Sequence, residues 1–182
     1  MTDSMSNSPF RGLGGIKFFL IGFMGSGKTY WGKVWAKQLA LSFYDLDEII
    51  EAAQGKKIAQ IFEKEGEDHF RSIETTALQT FAEKKDCMIA CGGGTACFND
   101  NMQWMNENGT TIYLSASPQY IFNRVAAEKD KRPLIKKINE AELLFFIEQK
   151  LKEREQFYKQ AKFILPADEL DENSLSTLNF QL

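Results

Sequence analysis

The fold of this chain is decided by the segment Gly22-Phe23-Met24-Gly25-Ser26-Gly27-Lys28-Thr29, named here the phosphate-binding loop. Two glycines separated by four residues and followed by Lys-Thr match the Walker A pattern. Glycines let the backbone lie close to a phosphate, and the amides of such a loop, together with the following helix N-terminus, attract anions. Lys28 can reach the β- and γ-phosphates, and the Thr29 hydroxyl suits Mg²⁺ ligation. The loop therefore predicts a nucleoside triphosphate site.

The residues on either side of the loop supply the context that this motif requires. Residues 16–21 form a short apolar run typical of a buried parallel strand. After the loop, Trp31, Val34, Trp35 and Leu39 recur at helical spacing. A glycine-rich turn without a ligand is the alternative, and this strand–loop–helix order disfavours it.

Apolar strand patterns alternate with helical patterns along the rest of the chain, which favours a parallel α/β sheet. We predict a three-layer α/β/α domain with a central five-stranded parallel sheet. The predicted strands are 16–21, 41–46, 87–91, 110–114 and 163–165. The predicted helices are 47–54, 58–65, 67–84, 102–108, one starting near 118, 140–159 and 174–178.

Length and composition indicate one globular domain. The 182 residues suit a single domain over 16–182, preceded by a flexible leader over 1–15. A net charge of −3 gives no reason to expect nucleic acid or an anionic membrane as a partner. The three cysteines form neither an even disulfide set nor a Cys-x-x-Cys pair, which fits a reducing cytoplasm. Nothing in the sequence suggests an exposed apolar interface, so we expect a monomer.

Two further motifs each follow a predicted strand. They are the acidic pair Asp45 and Asp47, and the triple glycine 92–94. Ligands collect at the carboxyl ends of parallel strands, so we expect both motifs to meet the phosphate-binding loop. One carboxylate could serve a magnesium shell and the other a substrate hydroxyl. The alternatives are a helix N-cap for either aspartate and an ordinary tight turn for the glycines.

Four arginines are candidates for binding anions. Arg71 could instead pair only with Glu74, and Arg154 lies in a charged run, since exposed Arg–Glu pairs are common. Arg124 precedes, and Arg132 lies near the end of, a charged stretch, 128–133, that we expect to be a mobile loop. Arginines there could neutralise charge on a transferring phosphoryl group, or could simply be solvated.

Taken in order, these motifs resemble the shikimate kinase family. The resemblance rests on the phosphate-binding loop and on six further segments, which are Phe-Tyr-Asp-Leu-Asp at 43–47, Ile-Ala-Gln-Ile-Phe at 58–62, Phe-Arg-Ser-Ile-Glu at 70–74, Gly-Gly-Gly at 92–94, Arg-Pro-Leu at 132–134 and Arg-Glu-Gln-Phe-Tyr at 154–158. It covers residues 17–159 and implies a P-loop kinase fold with a mobile lid at about 126–139 and substrate-binding helices at about 47–84. The implied reaction transfers the γ-phosphoryl of ATP to the 3-hydroxyl of shikimate.

The resemblance also implies a role for individual residues. For ATP it implies Gly25, Ser26, Gly27, Lys28, Thr29, Tyr30, Arg124 and the lid residue Arg132, with Mg²⁺ held by Thr29 and Asp45. For shikimate it implies Asp47 on the attacking hydroxyl, Arg71 and Arg154 on the carboxylate, the backbone of Gly92, Gly93 and Gly94 at a ring hydroxyl, and Phe62 and Phe70 as walls. Lys28, Asp47 and Arg132 are the implied catalytic residues.

Two other functions fit parts of the pattern. The second hypothesis is another small-molecule P-loop kinase, such as one for gluconate or a nucleoside monophosphate. Gluconate is the closest competitor because it also carries a carboxylate and hydroxyls, whereas Arg71, Arg154 and Asp47 argue against a nucleobase. A nucleotide-binding regulator without catalysis is the third hypothesis. It would be expected to have lost Lys28, Asp47 or Arg132, and all three are present.

Overall fold

The computed structural model describes residues 15–126 and 138–178, which contain a five-stranded, fully parallel sheet. The strands are β1 (Lys17–Ile21), β2 (Ser42–Asp45), β3 (Cys87–Ala90), β4 (Thr110–Ser115) and β5 (Phe163–Pro166). Their order across the sheet is β2-β3-β1-β4-β5. The predicted fold class, an α/β domain with a central five-stranded parallel sheet, is confirmed.

Helices connect the strands. They are α1 (Lys28–Gln38), α2 (Leu46–Gln54), α3 (Ile58–Glu65), α4 (Glu67–Gln79), α5 (Asn101–Asn108), α6 (Pro118–Val125) and α7 (Glu140–Tyr158), with a short 3-10 helix at Thr95–Cys97. Every residue of β1 and β3 is buried, as expected of parallel strands that are covered on both faces.

The sheet register brings the predicted motifs to one edge. Ala90 of β3 lies opposite Leu20 of β1 and opposite Asp45 of β2. The phosphate-binding loop follows β1, the acidic pair ends β2, and the triple glycine follows β3. All three therefore leave neighbouring strands at the same carboxyl edge, where α/β proteins bind their ligands.

Two predicted helices differ from the structure. Helix α4 ends at Gln79 rather than near 84, and tight turns follow in which Phe81 donates its amide to Leu78 and becomes fully buried. The predicted terminal helix at 174–178 is wrong, because this segment forms turns. There the Asp171 side chain accepts from the Asn173 amide and from the Ser174 hydroxyl, and such local bonds compete with a helix.

Several predictions lie wholly or largely outside the described residues. They are the leader over 1–15, of which only Gly15 is described, most of the lid at 126–139, and Arg132. The division into leader, domain and lid stays a prediction. Within residues 15–126 and 138–178, no helix combines the length and the apolar character needed to cross a bilayer.

Candidate active site

The phosphate-binding loop presents a helix N-terminus without a competing acid. Gly27 precedes α1 in the left-handed region, with φ 95°, where a side chain would be strained. No side chain caps α1, and its first turn contains no Asp or Glu. The first amides of the helix are thus available to an anion, which the helix dipole also favours.

Two polar side chains of this loop are buried. The Lys28 ammonium donates to the carbonyls of Gly22 at 2.8 Å and Phe23 at 2.9 Å, so it is held within the loop. The Ser26 hydroxyl is fully buried and is the one buried side-chain polar atom of the described residues that lacks a hydrogen-bond partner. An unsatisfied buried hydroxyl destabilises a fold, so this position suits a ligand that brings an acceptor.

Thr29 and Asp45 bring two side-chain oxygens together at the end of the loop. The Thr29 hydroxyl donates to Asp45 Oδ2 at 2.7 Å, while Asp45 Oδ1 accepts from the amides of Asp47 and Glu48. The N-cap alternative is therefore correct for Asp45, but it occupies only one oxygen of the carboxylate. A hydroxyl and a carboxylate beside a phosphate site fit Mg²⁺, which usually keeps several waters and takes few protein ligands.

Asp47 lies in the first turn of α2, near other carboxylates. A methyl group on Gly92 would lie 2.9 Å from Asp47 Oδ1 and 2.8 Å from Glu74 Oε1, so only glycine leaves room for these two acids. Burial raises the pKa of Asp47 to about 7, helped by the negative charges of Asp45 and Glu74 and opposed by Lys28. A carboxyl with this pKa can accept a proton near neutral pH.

Arg71 is held in place by two glutamates. Its NH1 donates to Glu74 Oε2 at 2.8 Å, and its NH2 donates to Glu67 Oε1 at 2.8 Å. Burial disfavours the charge of Arg71, but the two glutamates outweigh it and raise its pKa. The pairing with Glu74 that the sequence left open does occur. It is buried rather than solvated, and it holds the guanidinium between the rings of Phe70 and Phe98 at 5.1 Å and 4.3 Å.

Arg154 reaches the same region from α7. It is almost fully buried, and its NH1 donates to the Gly93 carbonyl at 3.0 Å. The hydroxyl of Tyr158, one turn further along α7, donates to the same carbonyl. The long helix is thereby joined to the triple glycine.

Two adjoining cavities open at the carboxyl edge of the sheet. The smaller, of about 270 Å³, is lined by Gly25, Gly27, Lys28, Thr29, Tyr30 and Arg124, among others. The larger, of about 660 Å³, is lined by Phe62, Phe70, Arg71, Gly94 and Arg154, among others. Both cavities share Met24, Thr29, Asp45, Asp47, Gly92 and Gly93. Apart from Arg132, the structure brings every predicted site residue to these cavities or, for Ser26, into the loop beside them.

Three residues at this site were not predicted from the sequence. Glu67 supports Arg71, Thr95 donates its hydroxyl to Glu74 Oε1 at 2.6 Å, and Tyr158 donates to Gly93. Tyr158 lies inside the segment 154–158 that carries the resemblance, so the motif contained a signal for it. Glu67 lies four residues before Arg71, the spacing of an ion pair on one helix face, so the sequence contained a local signal for it as well. Thr95 has no local signal, because its partner Glu74 lies on a distant segment.

Comparison with known proteins decides the family. A family model described as shikimate kinase matches residues 24–179. The shikimate kinase of Phocaeicola vulgatus is 43% identical over 156 residues, which cover 86% of this chain and 89% of that protein. The chain belongs to the shikimate kinase family.

Solved shikimate kinases have the same fold. The enzyme from Bacteroides thetaiotaomicron aligns with a TM-score of 0.81 at 41% identity, covering 86% of this chain and 89% of that one. The enzyme from Acinetobacter baumannii, solved in complex with shikimate, aligns with a TM-score of 0.80 at 31% identity, covering 92% and 90%. The predicted function, phosphoryl transfer by a shikimate kinase, is confirmed at the level of the family, and so is the prediction of an enzyme.

Proposed function

We propose that the smaller cavity binds the phosphates of ATP and the larger cavity binds shikimate, so that the γ-phosphoryl passes to the 3-hydroxyl at their junction. The observation that carries this proposal is the position of Asp47. It lines both cavities and has a pKa near neutrality. A base between donor and acceptor sites suits the activation of an alcohol.

On the donor side, the chain supplies positioning and positive charge. The amides at the start of α1 bind phosphate oxygens, and the buried Ser26 hydroxyl gains its missing partner there. Lys28, which bonds two carbonyls of the loop, contacts the β- and γ-phosphates. Tyr30 and Arg124 border the nucleotide, and Arg132 adds charge neutralisation from the lid.

Thr29 and Asp45 would hold Mg²⁺. When bound, the ion would neutralise negative charge that develops on the phosphates during transfer. Within the described residues, no group of three or more His, Cys, Asp or Glu side chains forms a metal site. This fits an ion that is held largely by nucleotide and water.

On the acceptor side, shikimate offers one carboxylate and three hydroxyls. Arg71 and Arg154 present two guanidinium groups to the carboxylate, and a planar fork matches that group better than an ammonium does. Phe62 and Phe70, with ring centroids 4.6 Å apart, form an apolar wall for the ring. The backbone of the triple glycine, with Gly93 at its centre, meets a ring hydroxyl.

The proposal is tested by ADP release from MgATP with shikimate, gluconate, AMP or no acceptor. Shikimate-dependent turnover well above the other three is expected. Preference for gluconate or AMP would agree with the assignment of the ATP cavity but would overturn the assignment of the larger cavity to shikimate. ATP binding without turnover on any acceptor would favour the regulator hypothesis.

Replacing Arg154 by alanine is expected to raise the KM for shikimate by roughly 30- to 100-fold, because a charge-assisted bond to the substrate carboxylate is lost. The KM for ATP should change little. Lys152→Ala, at an exposed position of the same helix, is the matched control. An unchanged KM for shikimate in the Arg154 variant would rule out the carboxylate assignment. The effect of Arg71→Ala would be harder to interpret, because this change also leaves the buried Glu74 without its cation and so destabilises the protein.

The pH dependence of kcat/KM for shikimate should show an acid limb with a midpoint near pH 7. Asp47 must be ionised to accept the hydroxyl proton, and its pKa of about 7 means that activity rises as the pH passes through that value. Rates measured from pH 5.5 to 9 with MgATP and shikimate both well below their KM values, where ionisation of the free enzyme governs the rate, test this. Activity that stays level down to pH 5.5, as expected of an Asp with its ordinary pKa of about 4, would contradict the role of the neighbouring carboxylates.

We also propose that the protein works in the cytoplasm as a monomer, with no nucleic-acid partner. All three thiols are free, which suits a reducing compartment. The described residues expose three large apolar side chains, Tyr30, Phe145 and Ile164, of which Tyr30 lines the smaller cavity, and the net charge is −3. Size-exclusion chromatography with light scattering tests the monomer.

A further inference from the structure

One backbone carbonyl at the centre of the site receives two side-chain donors. Gly93 O accepts from Arg154 NH1 at 3.0 Å and also from the Tyr158 hydroxyl. Both donors belong to α7 and are four residues apart, so they lie on the same face of the helix. A carbonyl oxygen has two lone pairs, and here both have a donor from the same helix.

The Tyr158 side chain is built into the core. It is fully buried, and its ring stacks on Tyr113 of β4 with centroids 5.0 Å apart. Burial raises the pKa of Tyr158, opposed by the positive charge of Arg154, so the phenol stays protonated and remains a donor at any pH at which the enzyme works.

Gly93 lies where the two cavities meet. It lines both of them, and a methyl group on it would lie 3.1 Å from the backbone nitrogen of Met24 in the phosphate-binding loop. The peptide is planar, so fixing the direction of the Gly93 carbonyl also fixes the plane that continues to Gly94. Helix α7 therefore sets the orientation of the Gly93–Gly94 peptide, which faces the proposed shikimate cavity and lies beside the phosphate-binding loop.

We propose that Tyr158 is a positioning residue that acts through the Gly93 carbonyl. Its hydroxyl holds the Gly93–Gly94 peptide in the orientation that receives the acceptor hydroxyl, and it keeps in place the carbonyl to which Arg154 donates. Binding of the acceptor's hydroxyl and of its carboxylate is then coupled through one atom. This inference rests on the proposed function, since it assigns those two acceptor groups to Gly93 and Arg154.

The test is Tyr158→Phe, which removes the hydroxyl and retains the ring that stacks on Tyr113. We expect the KM for shikimate to rise about five- to tenfold, the change that follows from losing one hydrogen bond, while the KM for ATP stays within about twofold. The matched control is Tyr113→Phe, which removes the hydroxyl from the other ring of the same stack and should leave both KM values unchanged. Equal rises in both KM values, or a Tyr158 variant that behaves like the Tyr113 variant, would overturn the proposal.

A double-mutant cycle with Arg154→Lys tests the shared carbonyl. If both residues act through Gly93 O, the combined rise in the KM for shikimate should be smaller than the product of the single rises. Independent, multiplicative effects would overturn the coupling. Wild-type protein without shikimate-dependent turnover would reject the proposed function itself. Wild-type activity with an unaffected Tyr158 variant would reject only the positioning role.

Discussion

Replacing Lys28 by alanine is expected to lower kcat by about 10³-fold, because a cation directed at the transferring phosphoryl group is lost. The structure adds a second consequence. Lys28 also bonds the carbonyls of Gly22 and Phe23, so its removal loosens the loop before ATP arrives. Lost hydrogen bonds of this kind cost about 1–2 kcal/mol, which leaves the protein folded but lowers its Tm by a few degrees.

The experiment compares single-turnover ADP formation and thermal unfolding in wild type, Lys28→Ala and Lys37→Ala. Lys37 is exposed on the last turn of the same helix, so its loss should change neither quantity appreciably. A Lys28 variant that kept more than about a tenth of wild-type kcat would contradict the role of this cation in transfer. An unchanged Tm would contradict its role in holding the loop.

Asp47→Asn should have two effects of opposite sign. It should reduce kcat by roughly 10²- to 10⁴-fold, because asparagine cannot accept the proton of the attacking hydroxyl. It should also stabilise the protein at pH 8. The pKa of Asp47 rises on folding from 3.8 to about 7, so the folded state holds this proton more tightly than the unfolded state does. Ionisation of Asp47 therefore removes stability as the pH rises between those values, and asparagine avoids that loss.

The expected gain is on the order of 1–3 kcal/mol at pH 8, and it should vanish toward pH 4, where the carboxyl of the wild-type protein is protonated in the folded state. Urea unfolding at both pH values measures it, with Asp68→Asn, at an exposed position of α4, as control. An Asp47→Asn variant less stable than wild type at pH 8 would show that ionised Asp47 does not destabilise the folded protein. Retention of wild-type kcat would exclude it as the base.

Local patterns determined much of the site in advance. The phosphate-binding loop carries its chemistry in consecutive residues, so Lys28 and Thr29 could be assigned from spacing alone. The alternation of strands and helices predicted the sheet, and the rule that ligands gather at carboxyl ends brought Asp47 and the triple glycine to the loop. The predicted helix at 174–178 was wrong because local hydrogen bonds compete with helical ones. The Asp171 side chain accepts such bonds and holds this segment in turns.

The sequence by itself thus determined the fold class, the ATP-binding loop and, through ordered motifs, the family. Only the tertiary structure decided which charges meet. Burial raises the pKa of Asp47, and Asp45 and Glu74 raise it further, while Glu74 also holds Arg71. Tyr158 and Arg154 share the Gly93 carbonyl. Both arrangements bring together residues that are far apart in the chain. A pKa or a shared acceptor depends on distances of a few ångströms and on burial, and neither is encoded in local spacing.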